Sequence, residues 1–337
     1  MIHGHGDDGY LYATEIKTNF SSNVYYGCTP EPLFHYLNTR WESLRSYPEA
    51  QPLTAEKELA EAMRIHPEEV CLTHGATDAI YLVARTFRER RSYIHTPTFA
   101  EYADACRMNS HHTTNLYDLR RIPEDADIIW LCNPNNPTGE VIPYEKLKEL
   151  ITQHAHTLFV IDQSYEDFTE ERLFTAAEAV QYPNLLLLHS MTKRYGLPGL
   201  RIGYLTACRT LVGRLRLMQM PWTVNQMAIE AVHYLLRHED EFRFDLHTIL
   251  KERARVSRLL EEKRLATVWP GKTHFLLARL RQGNAAALKE YLLNEHSMLI
   301  RDASNFDGLD HGCFRIAVQT AEENNRLVSA ITQWMST

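Results

Sequence analysis

The sequence lacks any apolar run of ten residues, whereas a helix that crosses a membrane needs about 20. It also lacks an excess of positive charge, since 36 Lys and Arg stand against 43 Asp and Glu, a formal net charge of −7. That balance argues against nucleic acid as the main partner. The N-terminal residues 1–8 lack the basic and apolar segments of a signal peptide. We therefore expect a cytoplasmic globular protein that binds neither membranes nor nucleic acid.

Metal-binding and disulfide motifs are also missing. The six cysteines are scattered, and no two of them form a Cys-x-x-Cys pair, so the sequence predicts neither a disulfide framework nor a cysteine-based metal site. The pairs His111-His112 and His154-x-His156 lack a third ligand at helical or hairpin spacing, which favours surface histidines. We expect no metal.

The sequence does contain a regular alternation of short apolar runs and helical patterns. The apolar runs predict strands at 70–72, 92–95, 128–132, 158–161, 185–188 and 202–207. The helical patterns lie at 54–64, 78–88, 100–108 and 143–154. This βαβα order with continuous apolar strands is typical of the α/β class, in which helices cover both faces of a mostly parallel sheet.

The pattern changes near residue 226. Beyond it, charged helical patterns extend to residue 264, and apolar runs at 275–278 and 314–318 predict strands of a smaller α+β unit. The first 30 residues are rich in Gly, Asn, Ser and Tyr, which indicates an irregular arm. We predict a large domain over 41–226. The small domain would combine 1–40, including this arm, with 227–337.

One lysine leaves the end of a predicted strand. Lys193 follows the apolar run 185–188 and lies in a loop with Ser190, Thr192 and, eight residues on, Arg201. A lysine at a dry sheet edge loses its proton at moderate cost and can form a Schiff base with an aldehyde. The hydroxyls and the arginine could hold an anion. The combination suggests a pyridoxal phosphate (PLP) site, whereas a solvated Lys/Arg loop is the alternative for this segment alone.

Three other strand ends carry polar groups, and ligands of open parallel sheets bind beyond those ends. The turn 73–78 is small and opens a helix, whose N-terminal N–H groups suit a phosphate. The loop 133–139 holds three asparagines and two prolines, which favours a ligand role over a plain turn. Asp162 ends a buried strand and needs a cation or several hydrogen bonds; it could pair with a protonated pyridine nitrogen or merely cap the next helix.

Together these segments resemble a known family. Gly75-Ala76-Thr77, Asn136-Pro137-Thr138-Gly139, Asp162-x-x-Tyr165 and Ser190-x-x-Lys193 with Arg201 are similar, in order and in placement, to the fold type I, aspartate-aminotransferase-like PLP enzymes. The resemblance covers essentially the whole chain. It implies a large domain with a mostly parallel sheet, a smaller α+β domain, and PLP as the cofactor.

The resemblance also implies roles for individual residues. Lys193 would hold PLP as a Schiff base, Asp162 would pair with the pyridinium, and Asn136 and Tyr165 would hydrogen-bond the ring oxygen O3′. Phe99 would stack on the ring. The residues implied for the cofactor phosphate are Ala76, Thr77, Ser190, Thr192 and Arg201. Tyr47 would reach the PLP phosphate of a neighbouring subunit, which implies a homodimer with shared active sites.

Two groups within the family compete for the substrate and the reaction. Ser46-Tyr47-Pro48 fits both the threonine-phosphate decarboxylases of cobalamin synthesis and the histidinol-phosphate aminotransferases. The His-Gly arm at 3–6 and the segments 19–23, 219–225, 300–306 and 314–318 are more similar to the decarboxylases, whereas Tyr165 is the aminotransferase-like residue. Both imply a small phosphorylated substrate. A regulatory protein that only binds PLP is a third possibility, which the lack of an appended DNA-binding domain disfavours.

For the substrate, the resemblance implies that Arg315 clamps the α-carboxylate as a bidentate fork. The substrate phosphate would go to residues from several parts of the chain, and the candidates are His3, His5, Asn23 and Arg301. A disordered tail is the alternative for His3 and His5.

Overall fold

The computed structural model describes residues 7–336. In that part of the chain, the strands are β1 (Thr18–Asn19), β2 (Val70–Thr73), β3 (Arg91–His95), β4 (His112–Leu116), β5 (Ile128–Cys132), β6 (Leu158–Asp162), β7 (Leu185–Ser190), β8 (Gly203–Ala207), β9 (Ala266–Val268), β10 (Phe275–Leu280), β11 (Met298–Leu299), β12 (Arg301–Asp302) and β13 (Cys313–Ala317). The α-helices are α1 (Glu31–Asn38), α2 (Leu53–Met63), α3 (Gly75–Thr86), α4 (Glu101–Met108), α5 (Tyr144–Gln153), α6 (Ala176–Ala179), α7 (Met191–Arg194), α8 (Arg209–Arg216), α9 (Gln226–Arg237), α10 (Leu246–Glu262), α11 (Ala285–His296) and α12 (Ala321–Trp334).

Seven strands form the larger sheet, in the order β2-β8-β7-β6-β5-β3-β4. All neighbours run parallel except β8, which is antiparallel to both β2 and β7. The strands β5 and β6 are buried along their whole length, and apolar side chains of helices pack on both faces. This confirms the predicted α/β class and the mostly parallel sheet.

The sequence pattern failed to predict one strand of this sheet and misplaced the start of a helix. Strand β4 has the sequence HTTNL, is mostly exposed and pairs with β3 at the sheet edge, so it shows no apolar run. Helix α3 begins at Gly75, three residues before the predicted start, because Ala76 and Thr77 carry no strong helical periodicity.

The second sheet has four antiparallel strands in the order β12-β13-β10-β9. Helices α10, α11 and α12 contribute apolar residues to the core beside it. In the arm, which was predicted to be irregular, β1 pairs in parallel with β11. Helices α1 and α9 share a core with α2, and the domain limits at 41 and 226 stay a prediction.

Candidate active site

A cavity of about 310 Å³ opens at the carboxyl ends of β5, β6 and β7, where the arm and the four-stranded sheet also contribute residues. Most of the predicted site residues line it. They are Asn23, Ala76, Thr77, Phe99, Asn136, Asp162, Tyr165, Ser190, Thr192, Lys193, Arg201, Arg301 and Arg315. The fold therefore brings together predicted residues that are up to 292 positions apart, since Asn23 and Arg315 both line this cavity.

Three predicted residues are not placed in this cavity. Tyr47 is 86% exposed and does not line it; its ring lies 5.5 Å from that of Trp222. His3 and His5 fall outside the described residues.

Lys193 stands in the short helix α7, directly after β7. Burial lowers the pKa of its amine to about 8, and the nearby charges of Arg315 and Arg201 act in the same direction. Its carbonyl accepts a hydrogen bond from the Tyr25 N–H at 2.9 Å. At neutral pH a useful fraction of this amine is unprotonated, which is the form that attacks a carbonyl carbon.

The lowered pKa can be measured on the protein without cofactor. We expect the acetylation rate of Lys193 by acetic anhydride to rise with pH and to level off above about pH 8, because only the neutral amine reacts. Peptide mass spectrometry after competitive labelling gives the rate for each lysine. Lys272, which is exposed, serves as the internal control for the amount of reagent at each pH. A Lys193 rate that still rises steeply well above about pH 8 would contradict this environment.

The carboxylate of Asp162 is buried and held at both oxygens. Its Oδ2 accepts from the Tyr102 hydroxyl at 2.7 Å, and its Oδ1 accepts from the Ser164 N–H at 2.8 Å. Burial raises the pKa of Tyr102 well above its usual value, so the phenol stays a donor. A fixed buried carboxylate is suited to a cationic ring nitrogen.

Sequence reasoning missed Tyr102. The only available signal was its position in the helix predicted over 100–108, three residues after Phe99. The rings of Tyr102 and Phe99 meet edge-on at 5.9 Å, and the Tyr102 ring stacks on Trp130. These contacts fix the direction of the hydroxyl that meets Asp162.

A group of donors and small residues surrounds the N-terminus of α3. Gly75 has φ +80°, and a Cβ there would lie 2.7 Å from Arg201 Nη2. A Cβ on Gly203 would lie 2.4 Å from the backbone nitrogen of Ala76. Beside them the hydroxyls of Ser190 and Thr192 are 2.6 Å apart. A helix N-terminus with a guanidinium and two hydroxyls fits a phosphate group.

Arg315 connects the loop 133–139 to the arm. Its Nη1 donates to Asn136 Oδ1, and its Nη2 donates to the Ser21 carbonyl at 2.6 Å. Its Nε has no hydrogen-bond partner among residues 7–336. Burial lowers the pKa of Arg315 to about 10. Because Asn136 Oδ1 is occupied, the amide nitrogen of Asn136 is left as its donor to a ligand.

A second arginine lies directly opposite the first. Arg301 on β12 pairs in register with Arg315 on β13, and the two are 7% and 5% exposed. Residues opposite each other in an antiparallel pair project from the same face, where like charges destabilise the pair. The guanidinium of Arg301 donates to Asn305 Oδ1 at 2.8 Å, and burial lowers its pKa. Two adjacent buried cations indicate a ligand with anionic groups.

An aspartate that the sequence analysis did not consider also lines the cavity. Asp7 donates its N–H to Ser21 Oγ at 3.0 Å, and its carboxylate accepts from Asn19 at 2.5 Å. No recognisable motif separated Asp7 from the rest of the glycine-rich arm. Its contacts tie the start of the described chain to the residues beside Arg315.

The described residues contain no group of three or more His, Cys, Asp or Glu arranged to hold a metal ion. Within the same range, no helix combines the length and the apolar character needed to span a membrane. All six cysteines are free thiols.

Comparison with known proteins gives a consistent result. The aminotransferase class I and II family model matches residues 15–331. The chain is 30% identical to threonine-phosphate decarboxylase of Salmonella typhimurium over 329 residues, 93% of this chain and 90% of that protein. The structure of L-threonine-O-3-phosphate decarboxylase from Porphyromonas gingivalis is 36% identical, with a TM-score of 0.93, and 95% of this chain matches 100% of that one. Histidinol-phosphate aminotransferase 1 of Mannheimia succiniciproducens is 27% identical, over 90% of this chain and 85% of its own.

Proposed function

Since the chain belongs to the aminotransferase class I and II family, and its relatives in that family use PLP, we propose that it decarboxylates L-threonine O-3-phosphate. The products are carbon dioxide and (R)-1-amino-2-propanol O-2-phosphate, with one proton taken up at Cα. This reaction would place the protein in cobalamin biosynthesis. The two relatives with the highest identity reported above carry this activity in their names, which supports the proposal.

The observation that carries the proposal is the pair Arg301 and Arg315, placed opposite each other in the cavity of Lys193. L-threonine O-3-phosphate has two anionic groups, a carboxylate on Cα and a phosphate on the neighbouring carbon. We assign the carboxylate to Arg315 and the phosphate to Arg301, with Asn23 beside them. Two bound anions compensate the repulsion between the two guanidinium groups.

The residues around the cavity fit the cofactor as well. Lys193 would hold PLP, Asp162 its ring nitrogen, Asn136 and Tyr165 its ring oxygen, and Phe99 one ring face. The phosphate would lie in the donor group of Ala76, Thr77, Ser190, Thr192 and Arg201. When bound, PLP accepts the electron pair that is released as a bond to Cα breaks.

The choice between reactions would depend on which bond of the substrate Cα stands perpendicular to the pyridine ring of the cofactor. The protein would control this orientation through its contacts with the two anionic groups of the substrate. With the carboxylate on Arg315 and the phosphate on Arg301, rotation of the substrate about Cα is restricted at two points. After carbon dioxide leaves, the Lys193 amine, whose pKa is about 8, can carry the proton that Cα receives.

The deciding experiment offers the holoenzyme two sets of substrates. With O-phospho-L-threonine alone, we expect release of carbon dioxide and stoichiometric amino-propanol phosphate, measured by gas trapping and mass spectrometry. The second set is histidinol phosphate with 2-oxoglutarate. Formation of glutamate there, without carbon dioxide release in the first assay, would identify an aminotransferase and overturn the proposal. Loss of both activities in a protein that binds PLP would favour the regulatory alternative.

The proposed contact between Arg315 and the substrate carboxylate gives a separate prediction. Replacing Arg315 with Gln should lower kcat/KM for O-phospho-L-threonine about 10²- to 10³-fold, because two charge-assisted hydrogen bonds are lost. Steady-state kinetics measures this loss. Inhibition by O-phosphoethanolamine, which has the phosphate but no carboxylate, should change little and is the matched control. An equal loss of affinity for both compounds would assign Arg315 to the phosphate instead.

We also propose that the protein is a homodimer with shared sites. Exposed apolar side chains cluster in sequence around Tyr47 and Trp222, and they include Trp41, Leu44, Leu217 and Met220. An apolar surface of this kind is typical of an interface. Sedimentation velocity should give twice the mass of 39.1 kDa. Mixing Tyr47→Ala with Lys193→Ala chains should restore more activity than the two proteins show separately, and no gain would argue against shared sites.

A further inference from the structure

The arm segment 20–25 is fastened to several parts of the cavity wall. The Phe20 carbonyl accepts from the Ala317 N–H at 2.8 Å, and the Tyr25 N–H donates to the Lys193 carbonyl at 2.9 Å. Between these points, Asn23 makes one main-chain hydrogen bond within residues 7–336: its carbonyl accepts from His274 Nε2 at 3.0 Å. The main chain at Asn23 is therefore held by the side chain of His274, which precedes β10.

The chemistry of that bond fixes the form of His274. A carbonyl oxygen can only accept, so Nε2 carries the hydrogen and Nδ1 carries the lone pair. Nδ1 is buried without a hydrogen-bond partner in the described part of the chain. Burial lowers the pKa of His274 to about 3, so the ring is neutral near pH 7. Its centroid lies 3.8 Å from that of Phe168, which holds the ring plane.

Asn23 in turn contacts a residue assigned to the cofactor. Its Nδ2 donates to Tyr165 Oη at 3.2 Å, and both side chains are buried. An amide NH₂ group can only donate, so the phenol oxygen accepts there and its own hydrogen is available elsewhere. Burial raises the pKa of Tyr165 to about 12, which keeps that hydrogen on the phenol. Since Tyr165 lines the cavity, the hydrogen is available to a ligand in it.

We propose that His274 is a positioning residue for the Tyr165 hydroxyl. By holding the Asn23 carbonyl, it keeps the Asn23 amide against the phenol oxygen, and the phenol then donates its hydrogen to PLP. His274 touches neither the cofactor nor the substrate in this arrangement. The inference rests on the proposed assignment of Tyr165 to the PLP ring oxygen, and it adds a residue that the sequence motifs did not indicate.

The test compares three variants by their dissociation constants for PLP, measured by fluorescence titration of the apoprotein. His274→Leu removes the donor and should weaken PLP binding about tenfold, the effect of one lost hydrogen bond. His274→Gln retains an N–H at a similar reach and should restore most of the affinity. His111→Leu is the control, since His111 is also buried and also bonds a backbone carbonyl, that of Ala84 at 2.9 Å, but does not line the cavity.

Thermal unfolding of all three apoproteins separates positioning from general stability. A similar loss of melting temperature in His274→Leu and His111→Leu, with weaker PLP binding in the first alone, supports the proposal. Unchanged PLP affinity in His274→Leu overturns it, and so does a His274→Gln variant that binds PLP as weakly as His274→Leu.

A second measurement uses the unaltered holoenzyme, in case His274→Leu does not fold. A long-range ¹H–¹⁵N spectrum of protein labelled in histidine should show His274 as the Nε2–H tautomer, with the signal assigned by its absence in His274→Gln. The Nδ1–H tautomer would overturn the inference. None of these readouts uses O-phospho-L-threonine, so failure of the decarboxylase assay leaves them interpretable.

Discussion

Replacing Lys193 with Ala should lower turnover at least about 10³-fold, which is the largest effect expected for any single residue. The amine lies in the cavity with a pKa of about 8. Among residues 7–336 no other lysine lines the cavity, so the variant lacks a nearby amine to bond PLP or to carry a proton to Cα. Steady-state assay of carbon dioxide release measures the loss.

The covalent role of Lys193 has its own readout. Borohydride reduction of the wild-type holoenzyme should fix PLP on the peptide that contains Lys193, as detected by mass spectrometry. Lys272→Ala removes an exposed lysine and should leave both activity and labelling unchanged. A Lys193→Ala protein that retains more than a tenth of the activity would rule out this residue as the attachment point.

Replacing Asp162 with Asn should cost about 10²- to 10³-fold in kcat, because a buried charge facing the ring nitrogen is removed while the shape of the side chain is retained. The Ser164 N–H can still donate to the amide oxygen, so the loop after β6 keeps one of its hydrogen bonds. Kinetics under saturating PLP measure the loss of rate apart from any loss of cofactor.

Tyr102→Phe is the matched control for this prediction. It removes the 2.7 Å hydrogen bond to Asp162 Oδ2 but leaves the carboxylate charge, so we expect a loss of about tenfold or less. If Tyr102→Phe were as harmful as Asp162→Asn, the hydrogen bond rather than the charge would be the essential feature.

Much of the cavity was predictable because its residues follow apolar runs. Asp162 is the last residue of β6, and Lys193 lies three residues after the end of β7. Both strands are buried almost throughout, which makes them recognisable in sequence, and parallel strands end at one edge of a sheet. The loop around Asn136 follows the same rule. Their position at neighbouring strand ends predicts that these residues line one cavity, whereas their chemical roles are proposals.

The contacts that depend on register could not be predicted in this way. Arg301 and Arg315 are opposite each other because β12 and β13 pair with one particular alignment, which short strands do not reveal in sequence. His274 precedes a strand and looks like an ordinary polar residue at its start. The polar edge strand β4 was missed for a related reason, since an exposed edge needs no apolar alternation.

The close approach at Gly203 limits how this protein could be redesigned. The atoms that a side chain there would meet, 2.4 to 3.0 Å away, are backbone atoms of Gly75 and Ala76, so no rotamer change could relieve the contact. A saturation library at position 203 would therefore return glycine, whatever activity is selected. Altered specificity has to come from residues that line the cavity with their side chains, such as Arg301 and Asn305, which share a side-chain hydrogen bond.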